Sequence, residues 1–239
     1  MNKTWGIVGL GWLGSELATK LKKLGDNSWG TRSNVFNFQT DQFPETFCDV
    51  LFLNTPPLPQ MSPEVYVQKI YKAARAKIIF ISSTSVYGAS EGLITESSMV
   101  APQTESARWL VDVELLLRQK FNEDLTIVRA GGLIGGERHP VFHLSRKKEV
   151  TTGKHLVNLI HRSDLIGICL SASKASNIPL VNAVAPFHPK KEEYYNQWAT
   201  QLNVPKPIYT GGTESNRQID SEILPLLYPH WICPKLDFL

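Results

Sequence analysis

Thr4–Gly25 reads TWGIVGLGWLGSELATKLKKLG, and its three parts decide the fold. An apolar, β-prone run ends at Val8. A Gly-x-Gly-x-x-Gly turn follows at Gly9, Gly11 and Gly14, after which Leu13, Leu17, Leu21 and Leu24 recur at helical spacing. The order is strand, turn, helix. Gly9 permits the tight turn, Gly11 lets the backbone approach a pyrophosphate, and Gly14 lets helix and strand pack closely. The N–H groups that open the helix, around Trp12 and Leu13, face the anion. Glycines at such a connection also occur for structural reasons alone, but the strand before and the helix after favour a bound dinucleotide.

In dinucleotide folds a second strand ends about twenty residues after the turn, where an acidic residue accepts the ribose hydroxyls of NAD. Here that place holds Ser28-Trp29-Gly30-Thr31-Arg32-Ser33. The guanidinium of Arg32 suits bidentate pairing with a 2′-phosphate, and Thr31 and Ser33 add short hydroxyl donors. The expected cofactor is therefore NADP, with NAD the weaker alternative. A surface arginine after a strand is the plainer reading of the same residue.

Composition sets outer bounds. A chain of 239 residues can bury a substantial core. Its formal charge of +3 is small and its Lys and Arg are dispersed, which argues against nucleic acid; Arg146–Lys148 reads as a solvated loop. Cys48, Cys169 and Cys233 are far apart and lack metal-ligand spacing, so no metal is expected and the thiols fit a reducing compartment. No segment is long and apolar enough to span a membrane. The expected address is the cytoplasm.

Further along, strand and helix patterns alternate. Asp49–Asn54 is a short buried-type strand, stopped by Pro56 and Pro57. Asn54, Thr55 and Pro56 lie at its carboxyl end, where ligands of such sheets sit, and join the expected cofactor contacts. Ser62 and Pro63 resemble an N-cap and first helical residue, opening a helix to about Ala76. Lys77–Ser83 is the next strand. Thr104–Lys120 is helical, with Trp109, Leu110, Val113, Leu116 and Leu117 on one face, and Leu125–Arg129 is another strand. The alternation predicts an α/β fold, a doubly wound parallel Rossmann sheet.

The strand ends carry a resemblance. Ile81–Gly88 (ISSTSVYG), Thr95-Glu96, Pro102–Thr104, Glu114, Arg129–Arg138 (RAGGLIGGER), Val157–Leu165 (VNLIHRSDL) and Ser215–Ile219 (SNRQI) occur in the order that marks the extended short-chain dehydrogenase/reductase superfamily. This is the group of NAD-dependent epimerases and dehydratases that act on nucleotide sugars. The resemblance implies a small C-terminal substrate lobe: residues 1–185 would form the nucleotide domain and 186–239 the lobe, with 133–156 contributing to it. It also implies a phosphate-bearing small-molecule substrate, for which Arg138, His139 and Arg217 are the candidate contacts. Surface salt bridges are an equal reading of the two arginines. A homodimer through the Tyr66–Ala76 and Thr104–Lys120 helices is implied too, although their apolar faces suit burial within one monomer equally well.

The family's acid/base machinery is a Ser/Thr, a Tyr and a Lys, the last two spaced Tyr-x-x-x-Lys. Aligned on Pro102–Thr104 and Glu114, the tyrosine place holds Ser106 and the lysine place Leu110; the serine persists as Ser83. A phenol with a pKa near ~10 becomes a base near neutrality only beside a stabilising cation, which Leu110 does not supply. The chain is thus similar to atypical members that lack the pair. Tyr87 and His139 are the candidate replacements, each with a plainer reading: Tyr87 as a packing residue, His139 as an exposed loop residue before Pro140. His161 reads as structural, holding a loop whose Asp164 caps the next helix.

Three functions stay open. One is an NADP-dependent epimerase-like or reductase-like enzyme with a non-standard acid/base set. Another is a non-catalytic NADP-binding sensor or partner-binding protein. The third follows from Ile7–Gly14, which also resembles the opening of hydroxyacid dehydrogenases; that family needs a large helical second domain, for which the remaining length is too short.

Overall fold

The computed structural model describes residues 2–73 and 76–237. The first strand, β1 (Thr4–Val8), runs through Gly9–Gly11 into α1 (Trp12–Leu24), which Gly25 ends in the left-handed conformation (φ 83°). Then come β2 (Asn27–Thr31), β3 (Val50–Leu53), α2 (Pro63–Ala73), β4 (Lys77–Ser83) and a 3-10 turn at Thr84–Tyr87. Residues 74 and 75, through which the sequence carried α2 toward Ala76, lie outside the described residues. The middle of the chain holds β5 (Leu93–Ile94), α3 (Glu105–Phe121), β6 (Leu125–Ala130), β7 (Gly132–Ile134), α4 (Val141–Leu144) and β8 (Leu159–His161). It closes with α5 (Arg162–Ala172), β9 (Leu180–Ala183), α6 (Lys191–Gln201), β10 (Gln218–Ile219) and α7 (Leu224–Leu227).

Six of these strands form a parallel sheet in the order β2-β1-β3-β4-β6-β9. In its middle, β3 is an unbroken apolar run, Val50–Leu53, buried at every residue, as expected of a strand covered on both faces. The α/β Rossmann-like expectation is met.

The chain divides into two compact units, one of residues 1–88, 99–129 and 166–181, the other of 89–98, 130–165 and 182–239. A single cut at 185/186 does not describe this. The chain leaves the first unit at 88 and returns at 99, because β5 pairs in parallel with the distant β10 in the second unit.

In the first unit, α1 buries Leu13, Leu17 and Leu21. Thr104 caps α3, its hydroxyl accepting from the Ala107 N–H at 3.1 Å. The buried side of α3 carries Trp109, Leu110, Val113 and Leu117, and Trp109 Nε1 donates to the Met61 carbonyl at 2.7 Å. Tyr66 and Ile70 of α2 are buried, whereas Val65 and Tyr71 of α2 and Leu115 of α3 are exposed. The second unit has its own core around Ile134, Val157, Leu159, Tyr194, Tyr195 and Trp198.

Candidate functional site

In the first unit the Gly-rich turn is built by its neighbours. Leu10 N–H donates to the Thr31 carbonyl at 2.7 Å and Asn54 Nδ2 to the Gly9 carbonyl at 3.3 Å, so the ends of β2 and β3 hold the turn from two sides. Gly9 sits at φ 107°, and a Cβ there would lie 2.5 Å from the Asn54 carbonyl oxygen. A Cβ on Gly14 would meet the Gly9 carbonyl oxygen at 2.2 Å, so this glycine sets the close packing of helix on turn. Around a Cβ on Gly11 there is open space to 4 Å.

Gly11 is the N-cap of α1 and offers no side-chain acceptor, and the first turn of the helix carries no acidic residue. The opening N–H groups therefore keep their capacity for an anion, backed by the positive end of the helix dipole. Leu13 is buried and Trp12 half-buried. These residues fit a dinucleotide pyrophosphate.

Arg32 follows the last residue of β2 and is exposed, as is Ser33. The Arg32 carbonyl accepts from Val35 and Phe36 N–H, starting a helical turn. Lys69 steadies the loop beyond: its ammonium donates to the carbonyls of Phe38, Gln39 and Asp41 at 2.7, 2.9 and 3.0 Å. Phe38 stacks on Tyr66 with ring centroids 4.4 Å apart, and the Tyr66 hydroxyl meets Thr55 Oγ1 at 3.1 Å.

Near the end of β4, the Ser83 hydroxyl accepts from the Ser85 N–H at 3.1 Å, which leaves its own proton to donate. Ser106, second residue of α3, is half-buried, and Leu110 one turn later is buried in the helix's apolar face. The fully buried Tyr87 does not act as an open phenol. Its oxygen accepts from Arg129 Nη1 at 2.9 Å and its ring lies 4.9 Å from the guanidinium, the packing role that was its plainer reading. Arg129 in turn meets the Glu114 carboxylate, which accepts from the Ser82 hydroxyl at 2.6 Å. The sequence reading passed over this group. A lone carboxylate on the buried face of α3 was the available signal, since a charge there requires a partner.

In the second unit Arg138 and His139 line a concavity of about 410 Å³; Arg217 is not in that lining. His139 is buried rather than an exposed loop residue, because Tyr194, Tyr195 and Trp198 of α6 enclose it. Burial pushes its imidazole down to about 4, so it is neutral near pH 7. Nδ1 accepts from the Val141 N–H at 3.3 Å and Nε2 meets the Tyr194 hydroxyl at 3.3 Å. With both nitrogens engaged, the ring serves as a wall. Glu96, which the sequence quoted only as part of a resemblance, binds Asn182 N–H at 2.8 Å, Ser221 Oγ at 2.5 Å and Glu222 N–H at 3.0 Å.

Asp164 does not cap α5. It lies in the first turn, and its carboxylate accepts from Ile232 N–H at 2.6 Å, Cys233 N–H at 3.0 Å and the Tyr228 hydroxyl at 3.1 Å. Its ligand atom and those of His161 and Cys233 lie within 4.8 Å of one another. As a metal site the group is a poor fit. Asp164 is already held by those three donors, His161 Nδ1 accepts from the Ser163 N–H at 3.2 Å, and burial first, then nearby Asp164 and Asp237, push the Cys233 thiol up to about 11. The cluster fastens the segment around Tyr228–Cys233.

No family model matches the chain. It is 33% identical to protein YeeZ of Escherichia coli strain K12 over 244 aligned residues, covering 88% of each chain. Among solved structures it is similar to MoeE5 in complex with UDP-glucose and NAD (TM-score 0.70, 16% identity, covering 94% of this chain and 92% of that one). It is also similar to RMD from Pseudomonas aeruginosa complexed with NADPH (TM-score 0.72, 16% identity, 92% and 89%). Among the described residues no helix is long and apolar enough to cross a membrane.

Proposed function

The chain belongs with protein YeeZ to one family within the extended short-chain dehydrogenase/reductase superfamily, and from that premise we propose that it binds NADP and acts as an epimerase-like or reductase-like protein on a nucleotide sugar or related small molecule. The observation that carries this is the first turn of α1. Its N-cap is a glycine without a side-chain acceptor, no carboxylate stands in the turn, and the space above Gly11 is open. Arg32, for which no ion pair occurs among the described residues, supplies the preference for a 2′-phosphate. The similar structures carry NAD in one case and NADPH in another, so a nicotinamide suits this fold in either form.

A bound nicotinamide supplies hydride transfer. Toward that chemistry, Ser83 can donate a hydrogen bond to a substrate oxygen, and the half-buried Ser106 brings a second hydroxyl. Neither replaces a phenolate. Turnover on the right substrate is expected to be slow, by about 10²–10⁴-fold against enzymes with a positioned acid/base.

Calorimetric titration with NADP and NAD, on the native chain and on Arg32→Asp, tests the reading. NADP should bind at least roughly tenfold tighter than NAD, and the substitution should abolish that preference. If neither cofactor binds, the reading falls. Tight binding without turnover on a broad panel of nucleotide sugars would leave a cofactor-binding protein without chemistry.

A further inference from the structure

In the first unit β2 and β3 stand on either side of β1, so the chain from Arg32 to Asp49 has to cross over β1, and it does so without a helix or a strand. Its first residue is Arg32. An irregular connection of that length keeps one shape only where side chains fasten it.

Part of the fastening is the loop's own. Asp41 N–H donates to the Asn37 carbonyl at 2.9 Å, while the Asp41 carboxylate accepts from Asn37 N–H at 2.8 Å. Phe38 packs against Phe36 and Phe43 with ring centroids 5.5 and 5.6 Å away. The rest comes from α2. The Lys69 ammonium has three protons to give, and it meets three carbonyls of this one loop, those of Phe38, Gln39 and Asp41. Donors and acceptors match in number, and a planar guanidinium does not converge on three such oxygens in the same way.

Tyr66 stands one turn back on the same face of α2. It is fully buried, stacks on Phe38, and brings its hydroxyl to Thr55 Oγ1 at 3.1 Å. Thr55 follows Asn54, whose side chain holds the Gly9 carbonyl, and the Thr55 nitrogen lies 3.5 Å from where a Cβ on Gly9 would stand. One face of α2 therefore holds two segments that border the Gly-rich turn, the one that leaves β2 and the one that leaves β3.

We infer that Tyr66 and Lys69 are positioning residues for the cofactor: Lys69 sets the preference for NADP over NAD by fixing the loop that starts at Arg32, and Tyr66, through Thr55, sets the affinity for the part that the two cofactors share. The inference rests on the NADP reading proposed above. A guanidinium carried by a loop already in place meets a 2′-phosphate without the cost of ordering that loop. The benefit goes to NADP alone, since NAD has no 2′-phosphate for Arg32 to hold.

The test measures binding of NADP, NAD and adenosine 2′,5′-bisphosphate by calorimetry on the native full chain, Lys69→Met, Lys69→Arg and Tyr66→Phe, with amide hydrogen exchange over residues 35–41 in the absence of cofactor. Lys69→Met should weaken NADP and the bisphosphate roughly tenfold, leave NAD as in the native chain, and speed exchange over 35–41. Retained NAD binding also shows that the variant folds. Lys69→Arg keeps the charge but not three convergent donors, and should lose most of the preference as well; a charge acting from a distance would survive that change. Tyr66→Phe keeps the stacked ring and removes only the hydroxyl, so NADP and NAD should weaken together by about threefold while exchange over 35–41 stays native. The inference is overturned if Lys69→Met weakens NADP and NAD alike, if Lys69→Arg keeps the native preference, or if Tyr66→Phe binds both cofactors as tightly as the native chain. A native chain that binds NADP no better than NAD would sink the NADP reading and the role of Lys69 with it, a result read before any variant is made.

Discussion

Arg129 and Glu114 meet as a buried, two-pronged ion pair, with Nη2 2.6 Å from Oε2 and Nε 3.1 Å from Oε1. Their side chains are only 4% and 2% exposed, so removing one partner leaves a charge that water cannot reach. Desolvation opposes the guanidinium charge, but the bonds and charge of Glu114, aided by Tyr87, outweigh it and hold Arg129 above its ordinary value. Arg118 approaches Glu114 only at 3.9 Å from a largely exposed position and adds little. Glu114→Gln and Arg129→Met should each cost about 3–5 kcal/mol, and Glu114→Leu combined with Arg129→Met should recover part of that. Denaturant unfolding of the set checks it; a double variant no more stable than the worse single one would refute the pairing.

Gly11 and Gly14 differ in what a methyl group would meet. Gly14→Ala drives Cβ to 2.2 Å from the Gly9 carbonyl oxygen and should destabilise the fold. At Gly11 the backbone is extended (φ −82°) and nothing lies within 4 Å, so Gly11→Ala should fold with stability unchanged or raised by up to about 1 kcal/mol. On the proposed cofactor reading its methyl group would stand in the way of the pyrophosphate, and NADP affinity should drop at least roughly tenfold. Thermal melts beside calorimetry separate the two effects. Native affinity in Gly11→Ala would place the cofactor elsewhere.

What the sequence disclosed is what local chemistry determines. Thr4–Gly25 carries its strand, turn and helix in adjacent residues, and β4 runs over the expected Lys77–Ser83. The interleaving of the two units was hidden because it depends on Leu93–Ile94 pairing with Gln218–Ile219, which no local pattern announces. The burial of His139 was hidden for the same reason: beside Pro140 it looks like a loop residue, and the ring atoms that enclose it arrive with α6, 55 residues on at Tyr194. Asp164 looked like a cap because it precedes an apolar helical run, and its true partners lie near the C-terminal end of the described chain.

Leu110 occupies the place where the superfamily pattern has lysine, and it is 3% exposed among Ala107, Val113 and Leu117. Glu114, one turn on, is already engaged by Arg129 and Ser82 and has little to offer a new cation. Leu110→Lys should therefore lower stability at neutral pH by on the order of 3 kcal/mol, as a buried ammonium does. Its folded pKa would fall below the unfolded value near ~10.4, so between the two the unfolded chain holds the extra proton and stability rises with pH. Unfolding at neutral and at alkaline pH should show the deficit shrinking. A deficit independent of pH would mean that the ammonium reaches water.

His139 makes acid the weak side of the second unit. Burial holds its imidazole at about 4 against an ordinary value of 6.5. Above about pH 6.5 neither folded nor unfolded chain is protonated there and nothing is lost. Below that, the unfolded chain takes up a proton that the folded chain refuses, so stability falls with pH until the folded imidazole also titrates near 4. The gap corresponds to at most about 3 kcal/mol, less in so far as water in the concavity that His139 lines screens the ring. His161 adds to the loss in the same direction, its pKa lowered chiefly by burial, with Asp164 opposing and Arg162 assisting. His139→Phe keeps a ring among Tyr194, Tyr195 and Trp198 but cannot titrate; losing the acceptor for the Val141 N–H costs it the same at every pH. Unfolding free energies across about pH 7 to 4 should therefore fall more steeply in the native chain than in the variant. Parallel profiles would show that the imidazole is protonated in place, and that the aromatic enclosure is open to water.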